Sequence, residues 1–341
     1  MKRLTWIAAF ALLALFISPQ SASAQEIAAA ESLDDLEPIL GGGHYRSEGD
    51  KGNRIARSGF GFLKISASAR LAGMADANVG TSRDIHSIFQ NPAGLVHIDN
   101  VGYLASYNQW LVGTKMGAAG FAKRIGVGVV GVSIRTFTYP DVEITTPLQP
   151  DGTGQNIKLG DLSVGLSFAK QLTDKFSVGF KLRYARSELH VINVSSMTFD
   201  IGTLFYTGYK SLRVGMSISN LGGNKEVLTE DYRLPFYYNL ALAMEILGKQ
   251  GDPMYLTGAY EHVFYRDYGE RDHVGAELWI QNLIALRAGY KFRYDVETWS
   301  VGAGLNLNVS EERKLNVDIS YSDIGGAIQE RPVRLTLSGT F

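Results

Sequence analysis

The sequence has no cysteine, so it uses neither disulfides nor thiol chemistry. It has little net charge, −1, and so no basic surplus of the kind that binds nucleic acid. After Ile17 it has no apolar run near the ~20 residues that a membrane-spanning helix needs. Its six histidines are scattered, and no pair has a metal-ligand spacing such as H-x-x-x-H. These absences leave no metal site, no cofactor and no catalytic residue to assign.

What is present begins with an export signal. Lys2 and Arg3 precede an apolar stretch over 4–17, and Ala22-Ser23-Ala24 supplies an A-x-A site, so cleavage is expected after Ala24. No cysteine follows, which excludes a lipoprotein signal. Glycine (38), tyrosine (17) and phenylalanine (16) are abundant. That is the composition of a transmembrane β-barrel, whose strands alternate lipid-facing and lumen-facing residues and never form a continuous apolar run. Residues 25–60 are acidic, then Gly-rich and charged without a period, and read as a flexible linker.

From about Val101 the pattern has period 2. Leu162, Val164, Leu166 and Phe168 alternate with Ser163, Gly165 and Ser167, and Phe176, Val178, Phe180, Leu182 and Tyr184 alternate with Ser177, Gly179, Lys181 and Arg183. No helical period fits these windows. Fourteen such segments fall at 101–110, 114–123, 126–138, 158–170, 175–187, 194–206, 211–220, 236–247, 253–263, 272–281, 283–294, 298–309, 314–322 and 332–341. The count is even and each segment has the length of a tilted membrane-crossing strand. Short connections alternate with longer ones at 138–157, 220–235, 264–271 and 323–331; the connections near Trp110 and Val296 are brief exceptions on the long-loop side. The long loops belong outside the cell and the short turns in the periplasm.

A soluble sandwich also alternates, but its second face would carry Lys, Glu and Thr. Here that face is mostly Gly, Ser, Ala and Asn, residues for a crowded interior. Tyr and Trp near strand ends (Tyr103, Trp110, Tyr139, Tyr206, Tyr209, Tyr237, Tyr265, Tyr268, Trp279, Tyr294, Trp299 and Tyr321) read as interfacial belts. Glu245, Glu261 and Glu277 fall on the inward face of successive strands and Arg287, Lys291 and Arg293 on the next, which predicts a Glu277–Arg287 pair across the ladder. In the last segment Val333, Leu335, Leu337 and the terminal Phe341 share one face, as in the signal read by the barrel-insertion machinery.

Residues 61–98 fit no strand. The stretch 66–77 is helix-compatible, and 82–89 reads as a short helix capped by Ser82 and stopped by Asn91-Pro92. A fourteen-stranded barrel is wider than its inward side chains can fill, so this compact segment is expected to fold into the lumen, with Arg70, Asp76, Arg83 and Asp84 meeting the polar wall. Asn91, Pro92 and Gly94 are expected to shape the turn from plug into the first strand. The fold class is therefore an all-β, 14-stranded antiparallel transmembrane β-barrel with an N-terminal lumenal plug: 1–24 signal peptide, 25–60 linker, 61–99 plug, 100–341 barrel.

The same stretch carries a family resemblance. Phe62-Leu63, Ser68-Ala69-Arg70, Ala72-Gly73-Met74 and Asn91-Pro92-Ala93-Gly94-Leu95 resemble, in order and spacing, the N-terminal signature of the PorV/PorQ outer-membrane proteins, whose barrels are similar to the FadL fatty-acid transporters. The wording from Ala72 to Ala77 leans towards PorV; Ala75 departs from it, since glycine is usual there. The resemblance implies a non-enzymatic part in type IX secretion: passing folded cargo from a translocon to a surface attachment complex with its sortase, with cargo recognised through its C-terminal domain. It also implies an exported protein seated in the lipid of the bacterial outer membrane. The outer loops 138–157 and 220–235 would be the contact surface, a placement that follows from the topology. The alternative is a FadL-like channel for hydrophobic small molecules, which would need an apolar pocket and a strand break; neither is visible. An enzyme has only His86-Ser87 and Asp151-Gly152-Thr153-Gly154 to offer, and the second reads as a loop turn.

Overall fold

The computed structural model describes residues 58–341 except 191, 224, 228, 229, 295, 309, 311, 312 and 325–330. The expected signal peptide with its cleavage site, and 25–57 of the expected linker, lie outside the described residues. Among the described residues no helix is long and apolar enough to cross a membrane.

The chain is built of strands. In order they are β1 (Val101–Gln109), β2 (Lys115–Ile125), β3 (Gly128–Thr138), β4 (Val142–Glu143), β5 (Asn156–Ile157), β6 (Leu159–Thr173), β7 (Phe176–Leu189), β8 (Ile192–Tyr206) and β9 (Arg213–Leu221). They continue with β10 (Lys225–Val227), β11 (Glu230–Tyr232), β12 (Tyr237–Leu247), β13 (Met254–Tyr265), β14 (Arg271–Ile280), β15 (Ile284–Phe292), β16 (Glu297–Asn308), β17 (Lys314–Ile324) and β18 (Val333–Thr340). Fourteen close a barrel in the order β1-β18-β17-β16-β15-β14-β13-β12-β9-β8-β7-β6-β3-β2; β4-β5 and β10-β11 are separate two-stranded hairpins within loops. Every ladder pairing in the barrel is antiparallel, and closure runs from Gly102↔Thr340 to Gln109↔Val333. Phe341 completes it: its N–H donates to Val101 O at 3.0 Å and its carbonyl accepts from Val101 N at 2.8 Å.

Alternation sets the two faces. On β6, Val164 and Leu166 are 45% and 59% exposed, while Ser163 and Ser167 on either side of them are 3% and 1% exposed. Tight turns join strands at the end that carries Val101 and Phe341, and the β4-β5 and β10-β11 hairpins stand at the opposite, far end. Besides the brief far-end connections expected near Trp110 and Val296, a third joins β7 to β8, where His190 (φ 58) takes a left-handed backbone.

Three expectations are corrected by the geometry. Tyr206, Tyr237, Tyr265 and Trp279 are not belt residues. They share strand parity with the buried Leu204, Asn239, Glu261 and Glu277, so their rings point inward. Tyr294 also points inward, donating to or accepting from Tyr265 (3.3 Å) and His273 (2.8 Å). Arg293 lies past the end of β15 with φ 63, loses inward parity, and meets Asp272 at 3.2 Å near the rim.

Candidate functional site: the plug and the wall around it

The segment 61–98 lies in the lumen as a string of short helical pieces, each started by a polar cap. Ser68 caps α1 (Ala69–Gly73), its side chain accepting from Leu71 N. Asp84 caps the 3₁₀ turn Ile85–Phe89, accepting from His86 N. Asn91 caps the 3₁₀ helix Pro92–His97, with Pro92 in the first turn, where its missing N–H is no loss. The helix expected over 82–89 is thus shorter and capped by Asp84, not Ser82. Asn91-Pro92 both ends one piece and opens the next.

The chain enters this string from the far end. Residues 58–60, expected to belong to the linker, are held there: Gly59 N donates to Arg233 O at 2.8 Å, Phe60 N to Tyr232 Oη at 3.2 Å, and Lys64 pairs with Asp267 at 2.6 Å. Phe60, Phe62, Leu63, Phe137 and Leu234 form one buried cluster at this end. A second cluster, including Leu71, Ile85, Ile88, Phe89, Leu95 and Leu104, joins the plug to the wall at β1 and β2.

Between these apolar contacts the plug is tied by charge. Arg70 reaches Glu277 with Nε and Nη2, both at 3.0 Å, and also pairs with Asp84. Glu277 in turn accepts from Arg287 Nε at 2.6 Å, the cross-strand pair the register demands, and Arg287 Nη1 donates to Asp318 at 2.6 Å. Burial works against a charged Asp84, but Arg70 and His86 hold its carboxyl below the usual range. Glu261 accepts the N–H groups of Asn78 (2.8 Å) and Val79 (2.9 Å). On the opposite wall Lys181 and Arg183 pair with Asp200, and Lys181 and Arg135 hold plug carbonyls: Lys181 Nζ to Ile88 O at 2.9 Å, Arg135 to Leu63 O at 2.9 Å and to Phe89 O at 3.2 Å. These cations meet the carbonyl end of the turn 85–89, the favoured polarity.

The inward glycines explain how the plug comes so close. A Cβ at Gly179 would strike the Pro92–Ala93 backbone, and one at Gly202 would strike Asn91 Oδ1. One at Gly215 would lie 2.6 Å from Val79 O, one at Gly275 2.7 Å from Met74 O, and one at Gly289 2.5 Å from Met74 C. The small-residue face is thus a seat for the plug backbone.

Each residue singled out in the sequence has a definite place. Gly73 lies against the backbone of Gly302. Met74 is fully buried with Ala77, Ala243 and Ala259. Asn91 Nδ2 donates to Val79 O (2.9 Å) and to Thr203 O on β8 (3.0 Å), so it fixes the plug to the wall as well as shaping a turn. Gly94 sits where a Cβ would meet Ser82 O. Val333, Leu335, Leu337 and Phe341 are 40–48% exposed on the outer face. Ala75 has φ 50 and Asp76 φ 63, a left-handed pair that explains why glycine would suit position 75.

The candidate catalytic pair does not form. Ser87 Oγ donates to Asp84 O at 2.6 Å, while His86 lies buried between Ser68 Oγ (2.8 Å) and Ser338 Oγ (3.2 Å). Burial pushes its imidazole below the usual range. Residues 151–154 lie in a turn of the far-end loop between β3 and β6, with Gly154 N donating to Glu143 at 2.7 Å. Among the described residues no group of three His, Asp or Glu has the geometry to hold a metal.

The profile of the family described as "Type IX secretion system protein PorV" matches residues 48–224. No curated protein matches the sequence. Among solved structures, the fold is similar to the Ralstonia pickettii toluene transporter TbuX, with TM-score 0.57 and 12% identity over 83% of this chain and 99% of that one. It is also similar to the Pseudomonas putida toluene transporter TodX, with TM-score 0.54 and 12% identity over 81% of this chain and 96% of that one. At such identity the likeness is one of fold alone.

Proposed function

Because the chain belongs to the PorV family of type IX secretion system proteins, we propose that it is a non-enzymatic outer-membrane component of that pathway. In this reading it helps secreted cargo reach or attach to the cell surface through contacts made at its far end, and nothing passes through its lumen. The observation that carries this is the seating of the plug. Its backbone rests on inward glycines of β7, β8, β9, β14 and β15, the plug–wall pairs Arg70–Glu277 and Asp76–Lys291 hold one side, and Arg213 Nε donates to Gly80 O at 3.2 Å on another. A conduit for hydrophobic molecules would need an apolar path and a break in the wall. Of the two register shifts in the far half of the wall, at Glu297/Ser300 in β16–β17 and at Phe199/Ile201 in β8–β9, the second is closed from within: Asp200 accepts Asn220 N–H at 2.8 Å, and Arg183 binds both residues.

In the same proposal the far end faces outward and the end carrying Phe341 faces the periplasm. Outer-membrane lipid covers the apolar outer face, and the insertion machinery reads Val333, Leu335, Leu337 and Phe341. The partners are a secretion translocon, a sortase complex and the C-terminal domains of cargo. The loop between β3 and β6 is the first contact candidate: its β4-β5 hairpin projects Leu148, which is 94% exposed. The test is deletion of the chain followed by surface proteomics. Loss of cargo from the surface, restored by the full chain but not by one with residues 144–153 replaced by a Gly-Ser loop, is the expected result. An unchanged surface proteome with lost uptake of an apolar solute would reverse the reading in favour of a channel.

A further inference from the structure

Residues 58–64, where the chain enters the lumen, are gripped by two connections of the far end. Residues 232–235, which follow β11, hold one side. Ser58 pairs with Arg233 in a parallel bridge, Gly59 N donates to Arg233 O at 2.8 Å, and Phe60 N donates to Tyr232 Oη at 3.2 Å. The Phe60 and Tyr232 rings meet edge to face at 5.1 Å, and Leu234 is buried with Phe60, Phe62 and Leu63. Residues between β13 and β14 hold the other side. Asp267 accepts from Lys64 Nζ at 2.6 Å and also from Ser58 Oγ, and Lys64 Nζ lies 4.7 Å over the Tyr268 ring.

Two features mark this grip as more than packing. Phe60 has φ 52, a left-handed backbone that a residue with a Cβ keeps only where its surroundings hold it. Tyr232 and Tyr268 are half-buried, so the rings that hold the entry are also within reach of a partner at the mouth. A few residues on, Ser68 caps α1. The second half of the plug has separate ties to the wall: Lys181 to Ile88 O at 2.9 Å, Asn91 to Thr203 O at 3.0 Å and Arg124 Nε to Ile98 O at 2.9 Å.

We propose that residues 58–64 are a strap coupling the far mouth to the first half of the plug. Moving Tyr232 or Tyr268 off the strap lets Phe60 leave its left-handed backbone and loosens α1 and its cap, while 85–98 stays seated. Coupling of this kind is reciprocal, so a tightly seated plug also holds the mouth in one arrangement. The inference rests on the proposed function only in taking the far mouth as the face that a partner reaches; the coupling itself is a property of the isolated chain.

The test is hydrogen exchange of the purified full chain in detergent. In Tyr232→Ala, amides of 66–73 should exchange at least about threefold faster, the effect of losing one ordinary hydrogen bond, while those of 85–98 match wild type. The chain has no cysteine, so the double variant Ser58→Cys/Arg233→Cys carries a single thiol pair at the parallel bridge. Oxidising it should slow exchange of 66–73 relative to the same sample reduced. Unchanged exchange of 66–73 in Tyr232→Ala, or an equal rise in 85–98, would overturn the coupling. Equal exchange in the oxidised and reduced samples would overturn it too, and that comparison decides if Tyr232→Ala fails to fold. Neither readout depends on cargo, so a failure of the secretion reading is seen separately, in the surface proteome.

Discussion

Arg70 of the plug and Glu277 of β14 form a two-pronged pair, Nε to Oε2 and Nη2 to Oε1, each at 3.0 Å, where Glu277 is also bound by Arg287. Both partners are largely buried, with side chains 15% and 4% exposed. Removing one partner from a buried pair and leaving the other charge unmatched typically costs about 3–5 kcal/mol. In Arg70→Met, Glu277 keeps Arg287 and the 30% exposed Asp84 loses its partner, so the plug should loosen by less than that. Glu277→Gln should do so as well, since both Arg70 and Arg287 lose a carboxylate and keep only Asp84 and Asp318. Amide exchange of residues 66–78 would show faster opening in both, while strand amides keep their protection. Unchanged exchange in Arg70→Met would mean that the pair does not hold the plug.

The second prediction concerns pH. His97, at the end of the plug, has its Nε2 3.0 Å from Tyr206 Oη. Burial first, and then the charges of Arg83, Arg213 and Arg124, push its pKa down from 6.5 to about 4. The unfolded chain therefore binds this proton more readily than the native one. The stability linked to His97 is fully present above about pH 6.5 and is lost as pH falls towards 4. Thermal unfolding measured across that window should show a lower midpoint at acid pH, with a shallower slope in His97→Gln. His86, shifted the same way by burial, supplies part of the remaining slope. An identical slope in wild type and His97→Gln would rule out the assignment.

A third expectation rests on backbone conformation. Ala75 holds φ 50, in the left-handed region that costs a residue with a Cβ about 1–2 kcal/mol. The Ala75→Gly variant removes that strain but gains chain entropy on unfolding, so the net gain should be small, below about 1 kcal/mol. A denaturant midpoint equal to or slightly above wild type is expected. A clear fall would show that the Ala75 methyl packs against β15 more usefully than its φ costs.

Much of this was legible before any coordinates. Strand limits were readable because alternation stops at each turn, and the Glu277–Arg287 pair followed from parity plus a short turn. Plug occupancy followed from barrel width. What failed was parity applied at strand ends: Tyr237 is two residues from Asn239, and Trp279 two from Glu277, so both could have been assigned to the lumen. The partner of each inward glycine was not readable at all. Nothing in the order of residues links Gly202 to Asn91 or Gly289 to Met74, because the link is made by the path of an irregular segment through the lumen.

That dependence gives the sharpest test of the plug. If the inward glycines are its seat, adding side-chain volume there should displace the plug while sparing the wall, whose ladder bonds do not involve a Cβ. At Gly289 a Cβ would press on Met74 and Ala75 at 2.5–2.7 Å, and the atoms it meets are plug backbone and a methyl, neither able to rotate away. Overpacking of this kind costs about 1–3 kcal/mol or more. Gly289→Val and Gly202→Val should still give folded barrels with the heat-dependent gel mobility of such proteins, but with protease cleavage inside 66–98 and raised conductance in planar bilayers. Gly160→Ala serves as the control, since its nearest neighbour would be 4.0 Å away at Phe137 O, and it should behave as wild type. A valine at position 289 that leaves conductance and proteolysis unchanged would mean the plug can shift without leaving. The lumen would then be held shut by the ion pairs of Arg70 with Glu277 and of Asp76 with Lys291, and not by backbone contact.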